Sequence, residues 1–209
     1  MNKSDFYLLI NAGHGSDTLG KCSSEFDEEM KKRYGIERLY EYEYNRRVAL
    51  AVKERLEAEG YNVIHINPET TDVPLGERVR RANKQCALHG VKRCLYVSVH
   101  HNASNIGGWS NATGYTGYVA TAASSLSVRL ASIFERRAAR LGMLGNRWKH
   151  TFKYDYYELK KTQCPAILTE SAFFTNKGQV EWMLSDEGFE TIVRLHVESI
   201  EEYFEKALN

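Results

Sequence analysis

Leu95-Tyr96-Val97-Ser98-Val99-His100-His101-Asn102 is the stretch whose reading decides the fold. Its first five residues favour an extended, buried strand, and the strand gives way at once to two imidazoles and an amide. Working outward, the apolar runs 6–10, 61–66, 94–99, 117–120 and 166–168 are each short enough for a strand. Helical patterns fall between most of them. Tyr44, Val48, Val52 and Leu56 recur every four residues ahead of Gly60, and Leu75, Val79, Ala82 and Cys86 form a similar stripe after Pro74, an acceptable helix-start residue. Leu126, Leu130, Ile133, Phe134 and Leu141 mark a third helix. Phe189, Ile192, Val193, Val197, Ile200 and Phe204 mark a long amphipathic one near the end of the chain. Alternation of strand and helix predicts an α/β fold: a mostly parallel twisted sheet with helices on both faces. With 209 residues, 43% of them hydrophobic, and no internal repeat or linker, residues 1–209 are expected to form a single domain.

Composition narrows the function. Lysine and arginine number 28 against 27 acidic residues, so there is no basic excess of the kind a nucleic-acid partner requires. The first apolar stretch is too short for a signal-peptide core or a membrane span, so neither a Sec signal nor membrane insertion is expected. Cys22, Cys86, Cys94 and Cys164 are scattered without a CxxC pair, which argues for reduced structural thiols rather than a thiolate zinc site or a disulfide framework. The stretches 15–39 and 103–116 lack periodicity and are long for connections, which makes them candidate substrate-contacting loops.

Open α/β sheets place their sites at the carboxyl ends of strands, and three such ends here carry unusual residues. The first strand ends in Asn11-Ala12-Gly13-His14-Gly15, where small neighbours leave the His14 imidazole open to a ligand. His100 ends the strand that opened this section. Glu41 stands three residues before Tyr44, near the start of its helix and roughly on the buried side. A carboxylate there is costly without a partner, although a solvated first-turn glutamate favoured by the helix dipole fits the same spacing. Glu43 competes for the role from a different face. Glu170 closes the segment 165–169, where a surface cap is the alternative. Two histidines and one glutamate make the three-ligand set of catalytic zinc sites, which leave a fourth position open, and a further glutamate beside it serves as a base. The constellation reads as metal-assisted amide hydrolysis.

The blocks INAGHG (10–15), EYEYNRRVALAVKERLEAEGYNV (41–63), LGERVRRAN (75–83), SVHHNAS (98–104) and CPAILTESAFFTN (164–176) resemble, in order and surroundings, the zinc-dependent N-acetylmuramoyl-L-alanine amidase family. That family includes cell-separation amidases and phage endolysins. The resemblance implies His14, Glu41 and His100 as ligands of one zinc ion and Glu170 as the catalytic glutamate. Asn45 fixes the register, because the family's metal glutamate stands four residues before such an asparagine. It implies peptidoglycan as substrate, cut between the lactyl group of N-acetylmuramic acid and the L-alanine of the stem peptide. It also implies a single α/β catalytic domain; no separate wall-binding domain is expected, and the chain is expected to act as a monomer.

Some positions depart from the family pattern. Ala172 stands where a glycine is common. His101 replaces a small residue, and with Asn102 it is a candidate substrate contact, a rim residue or a competing ligand. The charged segment 17–39 is a candidate for setting stem-peptide preference. Trp109, Trp148, Tyr154, Tyr156 and Tyr157 could stack on sugar or peptide, although packing suits most of them. Three other readings stay open. A zinc peptidase cutting within the stem peptide would use the same ligands, and a silent peptidoglycan-binding module would need Glu170 out of reach of the metal. The stretch from Gly15 to Cys22 nearly spells a phosphate-binding P-loop, but Cys22 stands where a hydroxyl should meet magnesium. Synthesis in the cytoplasm with action at the wall or periplasm, by phage release or another export route, is the expected setting.

Overall fold

The computed structural model describes residues 2–104 and 108–208, so residues 105–107 of the expected 103–116 loop lie outside the described residues. Six strands form one sheet: β1 (Tyr7–Ala12), β2 (Asn62–His65), β3 (Cys94–Asn102), β4 (Thr116–Val119), β5 (Thr151–Lys153) and β6 (Ala166–Phe173). Their order is β2-β1-β3-β6-β4-β5, and every neighbouring pair is parallel except β4 with β6. The expected α/β class with a mostly parallel sheet in one domain is what the chain adopts.

The apolar stripes become α2 (Glu41–Ala58), α3 (Leu75–His89), α4 (Ser125–Arg140) and α7 (Asp186–Leu208). Three shorter helices carry too little periodicity to be read in advance: α1 (Glu28–Tyr34), α5 (Tyr157–Lys161) and α6 (Lys177–Leu184). Helix α1 is charged on most positions. Its start is fixed by the Asp27 side chain, which accepts the Met30 N–H, and it buries only Met30. The edge strand β5 has no apolar run to announce it.

Side chains alternate across the strands, so the sheet has two unlike faces. Leu8, Ile10, Val97, Val99 and Ile167 pack with α2, α4 and α7 in the larger core. Leu9, Tyr96, Ala166 and Leu168 turn the other way, towards α3 and α5, in a smaller cluster. Both β3 and β6 run further than their apolar segments suggest, and their pairing continues through His100 opposite Glu170 before the register shifts towards Asn102 and Phe173. Among the described residues no helix is long and apolar enough to cross a membrane.

Candidate metal centre

Beyond the end of β1 the chain turns through His14, which takes a positive φ of 65°. This is an uncommon conformation for a residue with a side chain, and it places the imidazole over the sheet edge. Both flanking glycines are required by close approach. A Cβ on Gly13 would lie 2.1 Å from the His100 ring, and one on Gly15 would lie 2.0 Å from the Asp72 backbone nitrogen. Helix α2 holds the turn from outside: Asn45 Nδ2 donates to the Gly13 carbonyl at 3.1 Å, and Arg46 Nη1 donates to the His14 carbonyl at 3.0 Å.

Glu41 is the first residue of α2 and only 1% exposed. Its backbone N–H donates to the Lys21 carbonyl at 2.9 Å, tying the helix start to the 15–39 segment. One carboxylate oxygen lies 3.2 Å from His14 Nε2 and the other 3.2 Å from His100 Nδ1. The second oxygen also accepts the His101 backbone N–H at 3.1 Å and Asn45 Nδ2 at 3.3 Å. Thus Glu41 has the partners its burial demands. One ligand atom from each of His14, Glu41 and His100 lies within 4.8 Å of the other two, an arrangement that can hold a metal ion. Burial opposes ionisation of Glu41, but its hydrogen bonds to His100 and His14 outweigh that and hold the carboxyl well below the usual range. Burial lowers the His14 pKa. At His100 the Glu41 carboxylate overcomes burial and raises it.

Glu170 stands beside this group, paired with His100 across the β3–β6 ladder. Its Oε2 is buried with no hydrogen-bond partner among the described residues. Burial pushes its carboxyl up to about 8, against the pull of positive charge from His100. His14, His100 and Glu170 together bound one side of a pocket of about 210 Å³. Leu75, Leu168 and Tyr157 supply apolar surface, and Lys21, Tyr156 and Glu158 complete the lining. A larger hollow of about 480 Å³ near α1 contains none of these imidazoles and not Glu170.

The structure corrects one sequence expectation about substrate contact. His101 follows His100 on an extended strand and therefore faces the opposite way. It is 1% exposed, with Nδ1 2.7 Å from Asn45 Oδ1 and its ring edge-on to Tyr44 at 4.8 Å. It neither lines the pocket nor joins the three ligands; it braces Asn45, which in turn holds Glu41. Asn102 is not among the residues lining the pocket, and its Oδ1 accepts the Ala103 N–H at 2.9 Å. The near P-loop stretch does not open into a helix. Gly15 N–H bonds Thr18 Oγ1, and the next helix begins only at Glu28.

Of the aromatic residues singled out, Tyr156 and Tyr157 line the pocket. Trp109 stacks on Phe26, while Trp148 is 88% exposed. Sequence reasoning missed Lys21 and Glu158 as pocket residues. Lys21 falls within the 15–39 stretch expected to contact substrate and within the near P-loop, whereas no signal pointed to Glu158.

Comparison with known proteins identifies the family and the fold. The sequence pattern of the N-acetylmuramoyl-L-alanine amidase family matches residues 8–202. Among individual relatives, YqiI of Bacillus subtilis is 26% identical over 200 residues, covering 95% of this chain and 85% of its own. The N-acetylmuramoyl-L-alanine amidase CwlM of Bacillus licheniformis is 24% identical over 204 residues, covering 97% of this chain and 70% of its own. The crystal structure of N-acetylmuramoyl-L-alanine amidase from Clostridium difficile 630 has the same fold, with a TM-score of 0.79 at 20% identity over 97% of this chain and 98% of that one. A match over nearly the whole sequence places this chain in the N-acetylmuramoyl-L-alanine amidase family.

Proposed function

We propose that this enzyme hydrolyses the amide bond between the lactyl group of N-acetylmuramic acid and the L-alanine of the peptidoglycan stem peptide. In this reading one zinc ion is held by His14, Glu41 and His100, and Glu170 acts as acid and base. The observation that carries the reading is the convergence of two imidazole nitrogens and a carboxylate oxygen, with the unpartnered Glu170 Oε2 on the neighbouring strand. The donor set fits zinc, which takes imidazole and carboxylate ligands, and three protein ligands leave room for a reactant. When bound, the ion supplies a Lewis acid that polarises the amide carbonyl and acidifies water at the site.

The remaining work falls to this chain's own residues. Glu170 accepts a proton from the attacking water as the new C–O bond forms. It then delivers that proton to the alanine nitrogen as the C–N bond breaks. Asn45 and the His101 N–H orient Glu41, the kind of outer support that keeps a metal ligand in place. Leu75, Leu168 and Tyr157 line the pocket beside Glu170.

The same reading makes the chain a wall-lytic enzyme of the endolysin kind, with residues 1–209 as its catalytic domain. It acts at the wall or in the periplasm as a monomer, a reading supported by one polypeptide supplying all four residues of the centre. The test uses protein dialysed against a chelator and assayed on a defined muramoyl-L-alanyl peptide. Activity should vanish and return with one equivalent of zinc per chain. Full activity in the metal-free protein would overturn the assignment.

A further inference from the structure

The pocket contains a second carboxylate that this hydrolysis does not use. Glu158 enters from the first turn of α5 and is 3% exposed. Its Oε2 accepts from the Tyr96 hydroxyl at 3.4 Å, long for an O–H···O bond. Its Oε1 is buried and has no partner among the described residues. It lines the same hollow as His14, His100 and Glu170, while Leu75 and Leu168 offer only apolar surface there.

A buried acceptor left unpaired is costly, and a charged one more so, while a cationic donor makes the strongest bond to a carboxylate. The complement of this wall is therefore a small group that ends in an amine. The proposed reaction produces such a group. Before cleavage the alanine nitrogen is a neutral amide; afterwards it is a primary amine that carries substantial positive charge at neutral pH.

We propose that Glu158 is an acceptor subsite for the free α-amine of the released peptide, so that the leaving side of the substrate lies along α5. The proposal rests on the amidase reading. It predicts that the pocket distinguishes a free amino end from an acylated one, a property the metal ligands and Glu170 do not require.

The test is calorimetric titration of zinc-loaded wild-type enzyme and its Glu158→Gln variant with an L-alanyl dipeptide and with the N-acetylated form of that dipeptide. Wild type should bind the free amine about tenfold tighter or more. Glu158→Gln should reduce that preference to about threefold or less, with affinity for the acetylated probe unchanged as the control for folding. Equal binding of the two probes by wild type, or a preference that survives in Glu158→Gln, would overturn the proposal. Glu158→Met gives a second variant of similar volume should the amide fail to fold. The same wild-type preparation is assayed separately on muramoyl-L-alanyl peptide. Failure to cut the lactyl–alanine bond would sink the amidase reading on its own, independently of the probe preference.

Discussion

The two faces of the sheet are built for different tasks. Towards α2, α4 and α7 the strands present a broad apolar surface, with Val97, Val99, Ile167, Leu130, Phe134 and Ile200 buried against one another. Towards α3 and α5 the cover is thinner, and the side chains that begin apolar at the amino ends of β3 and β6 become polar at the carboxyl ends. Tyr96 gives way to Ser98 and His100, and Leu168 gives way to Glu170. Burial on the first face provides the rigidity that holds polar groups in place on the second. His100 and His101 show the contrast within a single peptide unit: one faces the pocket, and the other braces Asn45 from the packed side.

This comparison can be broken first at the ligands. His14→Ala or His100→Ala should lose both bound metal and detectable hydrolysis, as read by metal analysis beside an activity assay, whereas His101→Ala should keep its metal. Metal loss in His101→Ala with retention in His100→Ala would invert the assignment of the two faces. Next in size, Glu170→Gln should lower kcat by roughly 10²- to 10⁴-fold, the usual worth of a general acid–base, with metal content unchanged. On the packed face Phe134→Ala should cost about 3–5 kcal/mol in denaturant unfolding, because it opens a cavity among side chains that cannot collapse.

The subtlest contrast concerns pH, and one buried group from each face, His196 and Glu170, should respond with opposite sign. His196 is fully buried against Thr169, and burial holds its pKa down to about 4. The unfolded chain therefore binds the extra proton first, and stability should fall as pH drops from about 6.5 to 4, by on the order of 3 kcal/mol. Glu170 behaves oppositely in metal-free protein. With its carboxyl raised to about 8, the folded chain holds the proton longer than the unfolded one. Its contribution to stability is present below about 4.5 and is lost as pH rises towards 8. Melting of chelator-treated protein across this range should show His196→Gln flattening the acid limb and Glu170→Gln flattening the other. Parallel shifts in both variants would contradict the division.

Much of this was legible in the sequence where local pattern and tertiary role coincide. The strand ends at His14 and His100 stand out because apolar runs stop there, and Glu41 is conspicuous as a carboxylate on the buried side of a helix. The short elements were hidden for physical reasons. Helix α1 is nearly all charged, α5 has five residues, and β5 takes its place by pairing at the edge rather than through its own pattern. Lys21 and Glu158 reach the pocket through tertiary packing alone, one from a loop anchored to the Glu41 N–H and the other from α5. The sequence leaves His101 open as a substrate contact, a rim residue or a competing ligand, because its pattern does not show how far β3 runs. Extending the strand through Asn102 turns its side chain to the packed face.

The most direct test of the central claim is mass spectrometry of purified peptidoglycan digested by the enzyme, with and without a chelator. Intact stem peptides that begin with a free L-alanine amine, released only in the metal-replete digest, are the predicted result. Shortened stems still attached to muramic acid, or intact stems released equally in the presence of chelator, would contradict it.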